Sequence, residues 1–161
     1  MGHQTYDGNL KVTFLTALAD PAAPSAAELN AGTDLQGDIT PDGFAEGFDN
    51  AMVDNSSLAS TFDSEQVGRS KPNISITYQT LNDDGTPSDA ASVLTYRASG
   101  WLAVRRNKSE STAYAAADVV TVYAVEVHRP MPANAAPNET QKATVQLAST
   151  TDPNIDVTAA A

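Results

Sequence analysis

Nine consecutive residues, Val119-Val120-Thr121-Val122-Tyr123-Ala124-Val125-Glu126-Val127, constrain the fold of this chain most. The run is rich in β-branched side chains and is apolar at both odd and even positions for most of its length. A strand of that kind is covered on both faces, so it belongs in the middle of a sheet with side chains packed above and below it. Pro130 and Pro132 end it. Shorter runs supply its neighbours. Leu10, Val12 and Phe14 share one face with Lys11 and Thr13 opposite, the alternation of a half-buried strand. Ile74, Ile76 and Tyr78 alternate with Ser75, Thr77 and Gln79, and Pro72 is expected to open that strand. Trp101 to Arg106 follow Gly100; Ala143, Val145 and Leu147 alternate; Ile155 and Val157 read as a last short strand. The chain is therefore expected to be mainly β, of the α+β kind.

Two helices interrupt the strands. Ser25-Ala26-Ala27-Glu28 is a capping-box sequence, in which hydroxyl and carboxylate each satisfy a backbone donor. That helix is expected to stop at Gly32. The second follows the turn cluster Asn82-Asp83-Asp84-Gly85, with Ser88 or Asp89 as cap, and Ala90, Val93, Leu94 and Arg97 at helical spacing up to Gly100. Residues 41–71 follow neither period. They hold Pro41, Gly43, Gly47, Gly68 and three phenylalanines, Phe44, Phe48 and Phe62. A loop of about 30 residues is uncommon in a compact domain unless it is functional. The segment reads as a long hairpin or arm whose apolar side needs a partner surface.

Charge is distributed as unevenly as pattern. The 161 residues carry 20 acidic and nine basic side chains, a net charge of −11. Between Lys11 and Arg69 there is neither Lys nor Arg, while Asp34, Asp38, Asp42, Glu46, Asp49 and Asp54 are among ten acids there. Residues 69–161 are close to neutral. Such a surface repels free nucleic acid, since phosphate binding works through Lys and Arg. Leu, Ile, Val and Phe together number 30 against 27 alanines, a small stock for a core and near the border of disorder at this net charge. No apolar run approaches the ~20 residues of a membrane span, so no membrane partner is expected. Cysteine is absent, which excludes disulfides and cysteine-bound metals. Met1 to Asp7 show neither the basic nor the apolar stretch of a secretory leader, so none is expected.

Catalytic chemistry is not indicated, and no catalytic residue, cofactor or metal is expected. His3 lies near the terminus and His128 at a strand end, where a structural role is the simpler account. The Gly-x-Ser-x-Gly and Gly-x-x-x-x-Gly-Lys motifs are missing. Asp34, Asp38 and Asp42 are spaced by four rather than the two of a calcium loop. Nothing singles out a carboxylate pair for glycoside hydrolysis. Asn-x-Ser/Thr tripeptides at Asn55, Asn73, Asn107 and Asn138 are what chance supplies in a chain this rich in Ser and Thr. Arg105, Arg106 and Lys108 form the one basic cluster, and its expected role is pairing with acids of a neighbouring subunit rather than with nucleic acid.

Three segments, in order, resemble the major tail tube proteins of long-tailed (siphovirus-type) bacteriophages. They are Leu18 to Leu35; the helix followed by Gly100-Trp101-Leu102-Ala103-Val104-Arg105-Arg106; and Ala117 to Val127, where the family pattern often has Gly at Ala117 and Pro at Ala124. The resemblance spans roughly residues 17–158. It implies a β-sandwich or barrel-like subunit with a flanking helix and a long hairpin arm, in one domain over 1–161. It also implies homohexameric rings stacked into a tube through which DNA passes without specific binding. Residues 1–8 would form an N-terminal arm, about 41–71 the stacking arm and 150–161 a C-terminal tail. Tape measure, tail tip and terminator proteins would be the other partners, in a virion tail made in the bacterial host cytoplasm. On this reading Asp34, Asp38, Asp42, Glu46, Asp49 and Asp54 are lumen candidates; Phe44, Phe48, Phe62, Arg69, Arg105 and Arg106 are inter-subunit candidates. The competing readings are a surface or secreted β-sandwich binding module, and another tail component such as a terminator or contractile-tail tube.

Overall fold

A computed structural model describes residues 2–161; Met1, the first residue of the expected N-terminal arm, lies outside the described residues. The run at 119–127 forms the central strand, β6 (Val119–Val127). One edge of β6 pairs with β5 (Ser99–Arg105). The other edge is shared: Val119 to Val122 take β9 (Asn154–Thr158), and Val125 to Val127 take β8 (Lys142–Ser149). Beyond β5 come β1 (Lys11–Leu15) and the two-residue β2 (Thr33–Asp34); beyond β8 come β4 (Glu65–Gln79) and β3 (Ile39–Asp54). β7 (Met131–Pro132) also pairs with β8. All pairings are antiparallel, in one open sheet ordered β2-β1-β5-β6-β8-β4-β3.

The sheet curls. β3 lies four strand spacings from β5, about 19 Å if flat. Yet Arg106, one residue past β5, and Tyr123 of β6 both bond the Glu46 carboxylate of β3. Those side chains cannot bridge a flat sheet, so β3 is brought round toward β5 in a half-barrel. The inner face packs Val12 and Phe14, Leu102 and Val104, Tyr123, Val125 and Val127, Ile74, Ile76 and Tyr78, and Val145 and Leu147 into one core. α2 (Asp89–Val93) closes it with Ala90, and with Leu94 just past its end. The outer face of β1, β5 and β6 carries a second cluster, Leu15, Ala103, Val120 and Val122, covered by Leu29 of α1 (Ala26–Asn30), Tyr114 and Ala159. Two packed faces explain the continuous apolar run of β6.

Both helices are shorter than a turn and a half. The Ser25–Glu28 capping box forms as expected, but α1 ends on Ala31 rather than Gly32. Gly32 serves close approach instead, since a Cβ there would stand 2.5 Å from Thr13 Cγ2. α2 stops at Val93, well before Gly100, because Leu94 leaves helical geometry and Arg97 takes a left-handed φ of 65°. Residues 41–54 and 65–71, patternless in sequence, are strand. Thr40 to Gly43 bulge opposite Thr77, where a Gly43 Cβ would lie 2.2 Å from the Thr77 carbonyl oxygen. Pro72 lies within β4 rather than at its start. It is tolerated because β8 accompanies β4 only from Ile74 onward, leaving Pro72 with β3 alone. The stretch 150–161, expected as a tail between neighbours, belongs largely to the subunit's own fold. β9 pairs with β6, Ala159 is buried, and Ala160 exchanges backbone bonds with Pro24 and Ala26.

Candidate assembly surfaces

The dominant surface feature is the β3–β4 hairpin. Glu46 faces Ile74, the last residue of β4 that β8 also holds. Beyond that point the two strands continue alone to the final pair Asp54–Glu65, about 25 Å further at strand rise. The turn 55–64 closes the arm, pinned by the bond from Asn55 N–H to Ser64 O (2.9 Å). Phe48, Met52, Val53, Val67, Leu58 and Phe62 are all exposed on it, Phe62 at 74 %. Isolated exposed apolar residues need no explanation, but a two-stranded ribbon with this many does. The outer edge of β3 is also unpaired among the described residues, leaving a row of backbone donors and acceptors open.

The arm is anchored at its root. Phe44 packs against the main core. Glu46 accepts from the Tyr123 hydroxyl and from Arg106. Burial, reinforced by the neighbouring carboxylate, raises the pKa of the Tyr123 phenol. Tyr6, Leu10, Pro41, Phe44, Glu46 and Arg106 line an open cleft beside this root, with Tyr6 itself exposed.

The six acids expected as one coat divide into two groups. Asp34 is paired with Lys11 (2.8 Å) and accepts from the Thr13 hydroxyl (2.7 Å). Asp38 accepts from Ala90 N–H (2.8 Å) at the start of α2. Glu46 holds the arm root. These three have partners within the subunit, Asp34 while still exposed, whereas Asp42, Asp49 and Asp54 are exposed along β3. Asp49 faces Lys71 across the ribbon. The Ser56 side chain and N–H hold the Asp54 carboxyl below its ordinary pKa.

The basic cluster pairs with acids, but of its own chain. Arg105 is buried, with no surface to offer a neighbour, which corrects its assignment to subunit contacts. Its guanidinium donates to Asp118 (2.9 Å) and to the carbonyls of Ser109, Thr112 and Ala113, and lies 4.9 Å from the Tyr114 ring centroid. It thereby folds residues 106–118 back over the outer cluster. Burial pushes the Asp118 carboxyl up, but Lys108, the Ala115 N–H and Arg105 outweigh it and leave the group below its ordinary pKa. Arg106 is half-buried on Glu46, and Arg69 is exposed on the arm. Sequence reasoning missed the exposed Met52, Val53 and Val67 because residues outside an assignable strand carry no facing. It also missed the Tyr96–Arg97–Arg129 corner, whose members lie 32 residues apart in the chain.

No cluster of three potential metal ligands occurs among the described residues, and none of their helices is long and apolar enough to cross a membrane. A profile of the phage tail tube protein family matches residues 2–161. The chain belongs to the phage tail tube protein family. No curated protein matches this tail tube protein. Among solved structures it is similar to a chain of the 6-fold symmetrised cryo-EM structure of the anti-feeding prophage (AFP) baseplate. The TM-score is 0.54 over 95% of each chain at 8% identity, a likeness of fold. Family membership makes the protein a structural component of a virion tail, one that assembles with other tail proteins.

Proposed function

We propose that this tail tube protein is the ring subunit of a siphovirus-type tail, six copies to a ring, with rings stacked into the channel for genomic DNA. The observation that carries the reading is the arm, a ribbon that leaves the subunit with apolar side chains exposed on it and a free strand edge. Burying such a ribbon between neighbours supplies the apolar contact that a core of modest size lacks. The role is structural, without catalysis. Asp42, Asp49 and Asp54 remain free to face a lumen, where anionic walls offer phosphate nothing to hold. Six chains at −11 each make a field that survives a screening length of about 8 Å across a narrow channel. Phe48, Phe62 and Arg69 lie on the proposed stacking arm. Tape measure, tail tip and terminator proteins are the proposed heterologous partners, and assembly takes place in the host cytoplasm.

Negative-stain microscopy of the purified protein, with sedimentation over a concentration series, tests this. Rings or tubes of six-fold symmetry are expected. A species that stays monomeric at high concentration and in the presence of preformed tails would overturn the proposal.

A further inference from the structure

Four of the nine cations of this chain are held closely by its own acids. Lys11 is on Asp34, Arg105 and Lys108 are on Asp118, and Arg106 is on Glu46. A different arrangement occupies the corner where the chain enters β5 and leaves β6. The Tyr96 ring carries two guanidiniums, Arg129 at 4.6 Å and Arg97 at 5.9 Å from its centroid. The Arg97 side chain is 75% exposed, and its acidic neighbour, Glu126, is 4.0 Å away and itself open to water. Such a pair is weak. Arg129 has no acidic partner within 4.0 Å among the described residues. The corner is fixed in place: Arg97 N–H bonds Val127 O (2.9 Å), Val127 N–H bonds Ala98 O (2.8 Å), and Arg97 holds its left-handed φ. Met131, exposed, stands two residues beyond Arg129. Two guanidiniums against one aromatic ring, open to water on a backbone held in place, form a receptor for carboxylates flanked by apolar groups.

The arm tip has that complementary character. Asp54 and Glu65 are directly opposite in the last pair of the ribbon, with Asp63 beside them and no basic residue between Lys11 and Arg69. Like charges opposed across a strand pair destabilise it, and a cation from outside relieves the repulsion. Leu58 and Phe62, both exposed, stand in the same turn. We propose that the Tyr96–Arg97–Arg129 corner is the docking site for the arm tip of a second copy of this chain. In it Asp54, Asp63 and Glu65 meet the guanidiniums, and Phe62 or Leu58 meets Tyr96 and Met131. The inference rests on the arm being an assembly element and names its receptor. DNA is the disfavoured ligand, because the −11 chain repels phosphate.

The absence of cysteine makes single-cysteine chemistry clean. Thr61→Cys and His128→Cys proteins, mixed in equal amounts and treated with a short bismaleimide, are expected to give a cross-linked heterodimer on a denaturing gel. Adding Arg97→Glu with Arg129→Glu to the His128→Cys chain should cut that yield at least tenfold. Adding Asp54→Lys with Glu65→Lys to the Thr61→Cys chain should restore it. Circular dichroism checks that each variant is folded. An unchanged yield after the arginine reversal, or no recovery after the second reversal, overturns the contact. So does retention of duplex DNA that depends on the two arginines while the cross-link is missing. Rings without the cross-link sink this contact and leave the ring reading intact; the cross-link without rings does the reverse.

Discussion

A guanidinium shut away from water, as at Arg105, persists only where its donors are taken. Asp118 and three carbonyls take four bonds, and Nε alone has no partner among the described residues. Arg105→Ala leaves Asp118 buried beside a single ammonium and is expected to cost about 3–5 kcal/mol, read from urea unfolding. Arg105→Lys should recover little, since one ammonium cannot reach all four acceptors. Twelve residues on, Ala117 sits at φ 69°, held by its N–H on Ala159 O (2.9 Å). An alanine there is strained by about 1 kcal/mol. Ala117→Gly, the residue the family pattern favours, is therefore expected to stabilise by up to about 1 kcal/mol in the same assay, part of the relief being offset by a freer unfolded chain. Burial raises the Tyr114 phenol to about 12, despite its bond with the Thr13 hydroxyl (2.9 Å). The unfolded phenol ionises near pH 10. The native state thus holds its proton longer, and stability present below pH 10 falls as pH rises from about 10 to 12. Absorbance of ionised tyrosine, followed beside thermal melts, should show that fall, and Tyr114→Phe should lessen it, leaving the part that the raised Tyr123 and Tyr78 phenols contribute. The adjacent cations Arg105 and Arg106 were legible in the sequence as one cluster. Their destinations were not, because neighbours on a strand point to opposite faces and only the curl of the sheet says what lies there.

The β3–β4 hairpin carries the consequences at the scale of elements. Its presence could be read from residues 41–71, where glycines and phenylalanines fit no linker. Its strands could not, because alternation records burial and a ribbon exposed on both faces has none to record. Glu46 connects this ribbon to the body through Tyr123 and Arg106. Glu46→Ala removes both bonds and is expected to loosen the root while the core stays folded. Native-state hydrogen exchange should then accelerate in 44–48 and 72–76, with little change in β5 and β6; uniform acceleration would mean a global loss instead. α2 shows the opposite limit of pattern reading. Ala90, Val93 and Leu94 do lie on the core side, yet the spacing continued to Arg97 only by coincidence. The chain turns at Leu94 to enter β5, and the left-handed Arg97 completes the turn.

For the whole molecule the pertinent contrast is between β2, a two-residue edge that invites no pairing, and the sixteen-residue β3 edge that does. In the free subunit, the β3 amides that point off the sheet are expected to exchange quickly; in assembled rings they should slow by at least a hundredfold. Equal exchange in both states would place the interface elsewhere. The sequence by itself determined six strands of the body, the capping box of α1, and the location of the acidic segment. Each of these is written in neighbouring residues, through period-two burial, a local hydrogen-bond pair, and a count of charges. Only the tertiary structure decided which charges are free. Asp34, Asp38 and Glu46 find partners 23, 52 and 60 residues away, whereas Asp42, Asp49 and Asp54 stay open to solvent. The physical reason is that ion pairs form by distance in space, and the curl that brings β3 within reach of β5 arises from the packing of the sheet as a whole.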